Sequence, residues 1–186
     1  MTPARLGLLL APGAGAGRDQ ATLVALDRRA TAAGLVVRRM DFPYRREGRR
    51  APDRPAALVL AVREEAAALA ARCDALVAGG RSMGGRICSM AVAEGMPAAG
   101  LLLISYPLHP PGRPSALRTG HFPAIGVPCL FISGTRDAFG SPAELEAATA
   151  EIPAPVTHRW VEGKDHALRG ADDAVCDAAL EWLAQL

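Results

Sequence analysis

Gly80-Arg81-Ser82-Met83-Gly84 is the stretch whose residue types could do chemistry, and it fits G-x-S-x-G. A serine hydroxyl is a weak nucleophile unless a sharp strand-to-helix turn holds it out beside a base. Such a turn crowds the backbone two residues before and two after the serine, so side chains there would clash. A helix starting at the serine also aims backbone N–H groups at developing negative charge. In a chain with 19 glycines the pentapeptide alone has little specificity. Its context has more. Apolar Ala75 to Ala78 reads as a buried strand, and Ile87 to Ala93 continues as a helix.

Two further residues join Ser82 by their place in the chain. Asp137 follows the apolar run Cys129 to Ser133, and His166 follows Val156 to Val161. All three lie just past the ends of expected strands, where open α/β sheets bind their ligands. The order Ser, Asp, His is that of the α/β-hydrolases and differs from the chymotrypsin and subtilisin orders. In this arrangement His166 takes the proton of Ser82, and Asp137 orients the imidazole and stabilises the imidazolium. The backbone N–H groups of Met83 and Ala14 are the candidate oxyanion donors. Asp165 is a rival acid by adjacency. His109 and His121 are rival bases, and neither follows the final strand; His158 reads as a strand residue.

These positions require elements to hold them. Leu6 to Leu10 reads as a strand feeding the glycine-rich loop Pro12 to Gly17. That loop lacks the Gly-Lys-Ser/Thr of a P-loop, and its glycines at 13, 15 and 17 do not form G-x-G-x-x-G. Asp19 to Ala33 is an expected helix closed by Gly34. Leu35 to Phe42 is a strand running into a loop that carries Tyr44 and four arginines, Arg45, Arg46, Arg49 and Arg50. Pro55 to Arg72 is an alanine-rich helix. Gly100 to Ser105 is the strand after the serine helix. The aperiodic stretch Leu108 to Pro128 is long for a connection and is expected to cover part of the site. Ser141-Pro142 with Glu144 marks a capped helix start, and Asp172 to Leu186 closes the chain as a helix with Val175, Ala179 and Leu183 inward. The alternation predicts a compact α/β fold of about six mostly parallel strands with helices on both faces, in one domain over residues 1–186. Tyr44, Tyr106 and His109 are the expected substrate-pocket side chains.

Composition narrows the class. A net charge of +2 gives no reason to invoke nucleic acid or a membrane surface. No stretch approaches a membrane span, and the apolar run after Arg5 is too short for a signal peptide. The four cysteines, Cys73, Cys88, Cys129 and Cys176, have no metal-type spacing and read as reduced core thiols, which suits a cytoplasmic protein.

The combination resembles the α/β-hydrolase superfamily in its dienelactone-hydrolase-like branch. It is most similar to the family of the testis-expressed protein 30 and the hydrolase-like domain of the non-specific-lethal complex subunit 3. The resemblance is carried by Gly79 to Gly84, by Leu103-Ile104-Ser105-Tyr106-Pro107-Leu108-His109, by Phe131 to Gly134 with Asp137, and by Asp165-His166. It implies a hydrolase fold without its first two strands and without a lid domain. It also implies a nucleophile at Ser82, an acid at Asp137 and a base at His166. One departure stands out: the oxyanion loop of the family usually begins His-Gly, and here it is Pro12-Gly13. Dienelactone hydrolases proper use a cysteine nucleophile, so their substrate does not carry over.

The expected activity is hydrolysis of a small acyl ester or thioester through an acyl-enzyme, with no metal or organic cofactor. The partner is a small-molecule acyl substrate, and a homo-oligomer is compatible with the sequence. Two alternatives belong to other classes. One is a non-catalytic binding or scaffold protein that retains the fold. The other is an anion-binding enzyme that uses the four loop arginines with the glycine loop.

Overall fold

The structure is a computed structural model and describes residues 5–186. Six strands form one parallel sheet: β1 (Leu6–Ala11), β2 (Val36–Arg39), β3 (Ala75–Arg81), β4 (Gly100–Ile104), β5 (Cys129–Gly134) and β6 (Val156–Val161). The spatial order is β2-β1-β3-β4-β5-β6, and every pairing is parallel. Six helices connect them: α1 (Ala21–Ala32), α2 (Pro43–Arg46), α3 (Pro55–Ala70), α4 (Met83–Ala93), α5 (Pro142–Thr149) and α6 (Asp172–Leu183).

The apolar runs follow from burial on both faces of the sheet. Leu8 and Leu10 of β1 pack with Leu23 and Leu26 of α1 and Val175 and Ala179 of α6. Their alternate neighbours Leu9 and Ala11 face the other way, into a core with Leu58 and Val62 of α3 and Ile87 and Cys88 of α4. α1 ends as its sequence demands. Gly34 adopts φ +92, its N–H donates to Thr31 O, and the Leu35 N–H donates to Ala30 O, a Schellman closure. At α5 the Ser141 hydroxyl accepts from the Glu144 N–H while the Glu144 carboxylate accepts from the Ser141 N–H.

The structure corrects one expectation and adds to another. The loop after β2 contains a helical turn, α2, because Pro43 presets φ at the first helical position after an extended Phe42. The long stretch Leu108 to Pro128 does reach the site, since its Arg118 lines the cavity beside Ser82, but it is not only a cover. It carries Leu108, Phe122 and Ile125, all fully buried, so it packs down as part of the core, with a 3-10 turn at Phe122–Ala124. No described helix is long and apolar enough to cross a membrane.

The chain runs outward from β1 to β2 and then returns to β3 on the other side of β1. The connections after β1 and β3 therefore diverge and leave a crevice at the carboxyl ends of these two strands.

Candidate active site

Ser82 sits between β3 and α4 with φ 50 and ψ −119. A non-glycine residue there is strained by about 1–3 kcal/mol, and such strain persists only where surrounding packing enforces it. Here the enforcement is close approach. A Cβ on Gly80 would lie 2.1 Å from Ala11 O, and one on Gly84 would lie 2.2 Å from the same atom. The glycines therefore let β3 and α4 press against the end of β1. The Ser82 N–H also donates to Ile104 O at 2.8 Å, tying the turn to β4.

The three side chains converge. Ser82 Oγ is 2.9 Å from His166 Nε2, and His166 Nδ1 is 2.8 Å from Asp137 Oδ2 and 3.0 Å from Oδ1. An ionised carboxylate can only accept, so Nδ1 carries the proton and Nε2 is left to accept the serine hydroxyl proton. The Asp137 side chain is 1% exposed and that of His166 is 22% exposed. Asp137 Oδ1 also accepts from the Phe139 N–H at 2.8 Å, so the buried carboxylate is satisfied on two sides. The Phe139 ring lies against the imidazole, tilted by 30° with centroids 4.0 Å apart. Arg81 Nη2 donates to the His166 carbonyl at 2.6 Å and pins the loop that carries the histidine. Burial lowers the pKa of the Arg81 guanidinium, while Asp137, Asp172 and Asp165 act to raise it.

The loop after β1 completes the site. The Gly13 N–H donates to Gln20 Oε1 at 3.1 Å, and the Gly15 N–H donates to Tyr44 Oη at 3.2 Å. Between these two engaged groups, Ala14 N–H has no acceptor among the described residues. Met83 is the first residue of α4, so its N–H has no intrahelical partner. Ala14 and Met83 both line the cavity of about 520 Å³ that also contains Ser82 and His166. An oxyanion site needs such free donors beside the nucleophile.

Other expected residues are placed elsewhere. Tyr44, Tyr106 and His109 do not line the cavity. Tyr44 is fully buried beneath the glycine loop, where its hydroxyl has the polar partner a buried tyrosine requires. Tyr106 is buried and donates to Arg118 O at 2.7 Å. His109 is buried, with Nδ1 2.9 Å from Pro110 O and Nε2 3.6 Å from Glu144 Oε1. The rivals are also accounted for. Asp165 accepts from the Ala167 N–H at 2.9 Å, a local turn contact. His121 Nε2 is 2.7 Å from Ser89 Oγ. His158 bonds Thr149 and stacks against Phe131 and Trp160. The four loop arginines form no common site. Arg49 pairs with Glu47 and Asp53, Arg46 approaches Glu65 at 3.8 Å, and none of the four lines the cavity.

Sequence reasoning missed Gln20, Arg86 and Arg118, all of which line the cavity. Arg86 could have been found from its spacing, since four residues after Ser82 on a helix is the same face one turn on. Gln20 and Arg118 leave no such periodic signal.

Comparison with known proteins agrees with this architecture. A family model described as an alpha/beta hydrolase domain matches residues 4–180. Among solved structures, a dienelactone hydrolase from Anabaena variabilis is 20% identical, with a TM-score of 0.77 over 99% of this chain and 88% of its own. An alpha-beta serine hydrolase homologue from Coxiella burnetii is 18% identical, with a TM-score of 0.75 over 96% of this chain and 85% of its own. Est1E from Butyrivibrio proteoclasticus, with ferulic acid bound, is 13% identical, with a TM-score of 0.78 over 97% of this chain and 88% of its own. At these identities the likeness is one of fold.

Proposed function

The chain belongs to the alpha/beta hydrolase domain family, and from that premise we propose that it is a serine hydrolase that cleaves a small acyl ester or thioester. The observation that carries this reading is the unbroken chain Ser82 Oγ–His166 Nε2 and His166 Nδ1–Asp137 at 2.9 and 2.8 Å, beside two free backbone donors. Ser82 Oγ attacks the acyl carbon as its proton passes to His166 Nε2. Asp137 stabilises the imidazolium from the other side. The carbonyl oxygen becomes an oxyanion, met by the N–H groups of Met83 and Ala14. Collapse of the tetrahedral adduct breaks the bond to the leaving alcohol or thiol, which takes the proton from His166. Water then attacks the acyl-enzyme, losing its proton to His166; collapse of this second adduct breaks the acyl–Oγ bond, Ser82 Oγ takes the proton back from His166, and the acid leaves.

Within the family we place the chain beside the testis-expressed protein 30 and non-specific-lethal complex subunit 3 hydrolase-like proteins. The support is the stretch Ser105-Tyr106-Pro107-Leu108-His109. In this fold the stretch serves packing, since Tyr106 anchors Arg118 and Leu108 is fully buried. The substrate is a small molecule that reaches an open cavity in a cytoplasmic protein. Hydrolysis of short-chain nitrophenyl esters and thioesters tests the reading. Wild type should turn over, with Ser82→Ala and His166→Ala reduced to background. Equal rates in all three would overturn it.

A further inference from the structure

Three arginines line the cavity with Ser82: Arg81, Arg86 and Arg118. Arg81 has a structural partner in the His166 carbonyl. The other two differ. Among the described residues no carboxylate pairs with Arg86 or Arg118. Arg86 Nε, like Arg81 Nε, is buried and has no hydrogen-bond partner, and Arg86 has no side-chain hydrogen bond among the described residues to offset it. Asp53, the acidic side chain that lines the same cavity, is held by Arg49 at 2.7 Å.

Burial and the charge of Arg86 both depress the Arg118 guanidinium. Burial and Arg86 likewise push His121 down to about 4, so the adjoining imidazole is neutral near pH 7. Both arginines stand on fixed backbone. The Arg86 N–H donates to Ser82 O in the first turn of α4. The Arg118 N–H donates to Leu108 O, and its carbonyl accepts from Tyr106. Several arginines outside the cavity are paired with carboxylates: Arg39 with Asp19 and Asp27, Arg38 with Glu65, Arg29 with Asp177. Two like charges lining one cavity without a counter-charge are unfavourable until a bound anion offsets them. A guanidinium fork suits a carboxylate or phosphate geometrically.

We infer that Arg86 and Arg118 form an anion subsite one helical turn from the nucleophile, and that the scissile ester or thioester carries a carboxylate or phosphate group. This rests on the serine-hydrolase reading for its scissile bond, though the subsite itself can be measured without catalysis.

The test is calorimetric binding to the Ser82→Ala protein, which leaves esters intact. The probes are monomethyl glutarate, methyl 4-phosphonobutanoate and neutral dimethyl glutarate. One of the two acids should bind at least about tenfold tighter than the diester, an advantage that shrinks with added salt. The tighter acid identifies the anionic group. The advantage should collapse toward one when Arg86→Gln or Arg118→Gln is added, survive in large part with Arg86→Lys, and persist with Arg28→Gln, a change at an exposed arginine of α1. Circular dichroism melts of each variant separate lost binding from lost fold. Equal binding of charged and neutral esters would overturn the inference, as would binding of none, or a preference that survives both glutamine variants. Failure of the hydrolase reading shows differently: native protein that resists fluorophosphonate labelling while the acids still bind.

Discussion

Gly84→Ala perturbs the proposed chemistry without touching a reactive atom. Gly84 is the second helical residue of α4, and a Cβ there would lie 2.2 Å from Ala11 O, 2.5 Å from the Ala11 carbonyl carbon and 2.5 Å from Pro12 O. Ordinary contact begins at 3.4 Å, so the start of α4 and the end of β1 must part by about 1.2 Å. All three obstructing atoms are backbone, so no rotamer change relieves the clash. The separation falls between Met83 and Ala14, whose N–H groups must converge on one oxygen. Misaligning one oxyanion donor lowers kcat by about 10²–10³, and overpacking of this kind costs about 1–3 kcal/mol of stability. Steady-state hydrolysis of 4-nitrophenyl butyrate, with a thermal melt on the same sample, reads both. Gly126→Ala is the control, since nothing lies within 4 Å of its added Cβ. A folded Gly84→Ala protein with kcat within about threefold of wild type would refute the reasoning, because the close approach would then have no bearing on the transition state.

Other consequences follow from single contacts. Asp137→Asn can donate to His166 and so favours the wrong tautomer; kcat should fall by about 10⁴ with the melting temperature nearly kept, as steady-state kinetics and calorimetry would show. Tyr44→Phe removes the acceptor of the Gly15 N–H; it should destabilise by about 0.5–1.5 kcal/mol in urea titrations and lower kcat more than it raises KM. His121 is depressed from 6.5 to about 4 by burial and by Arg86, so between those values the unfolded chain binds more protons than the folded one. Its contribution is present above pH 6.5 and is lost as pH falls toward 4. Melts of His121→Gln should show a shallower decline over that window, and an unchanged slope would count against the assignment.

The fold and the convergence of Ser82, Asp137 and His166 were legible because a parallel sheet leaves few choices. Strands buried on both faces announce themselves as runs such as Leu101-Leu102-Leu103-Ile104, right-handed crossovers fix their hand, and residues after strand ends meet at one edge. The pocket was not legible for the same physical reason in reverse. Tyr44 and Tyr106 have polar tips and follow strand ends without a periodic pattern, which suits a ligand contact and a buried strut equally; only tertiary packing decides, and here it turned both inward. Stretch 105–128 has no periodicity to say that Phe122 goes down into the core while Arg118 faces the cavity. The arginines from Arg45 to Arg50 read as a solvated loop with an anion site as the alternative; Glu47 and Asp53 hold Arg49, Arg46 approaches Glu65, and none of the four lines the cavity.

The central claim is that Ser82 is an activated nucleophile. A fluorophosphonate probe tests it directly, with the adduct located by peptide mass mapping. The account predicts one adduct per chain, on Ser82, in wild type, and none in Ser82→Ala or His166→Ala proteins that melt normally. A folded wild-type protein that forms no adduct, or one that carries it on another residue, would contradict it.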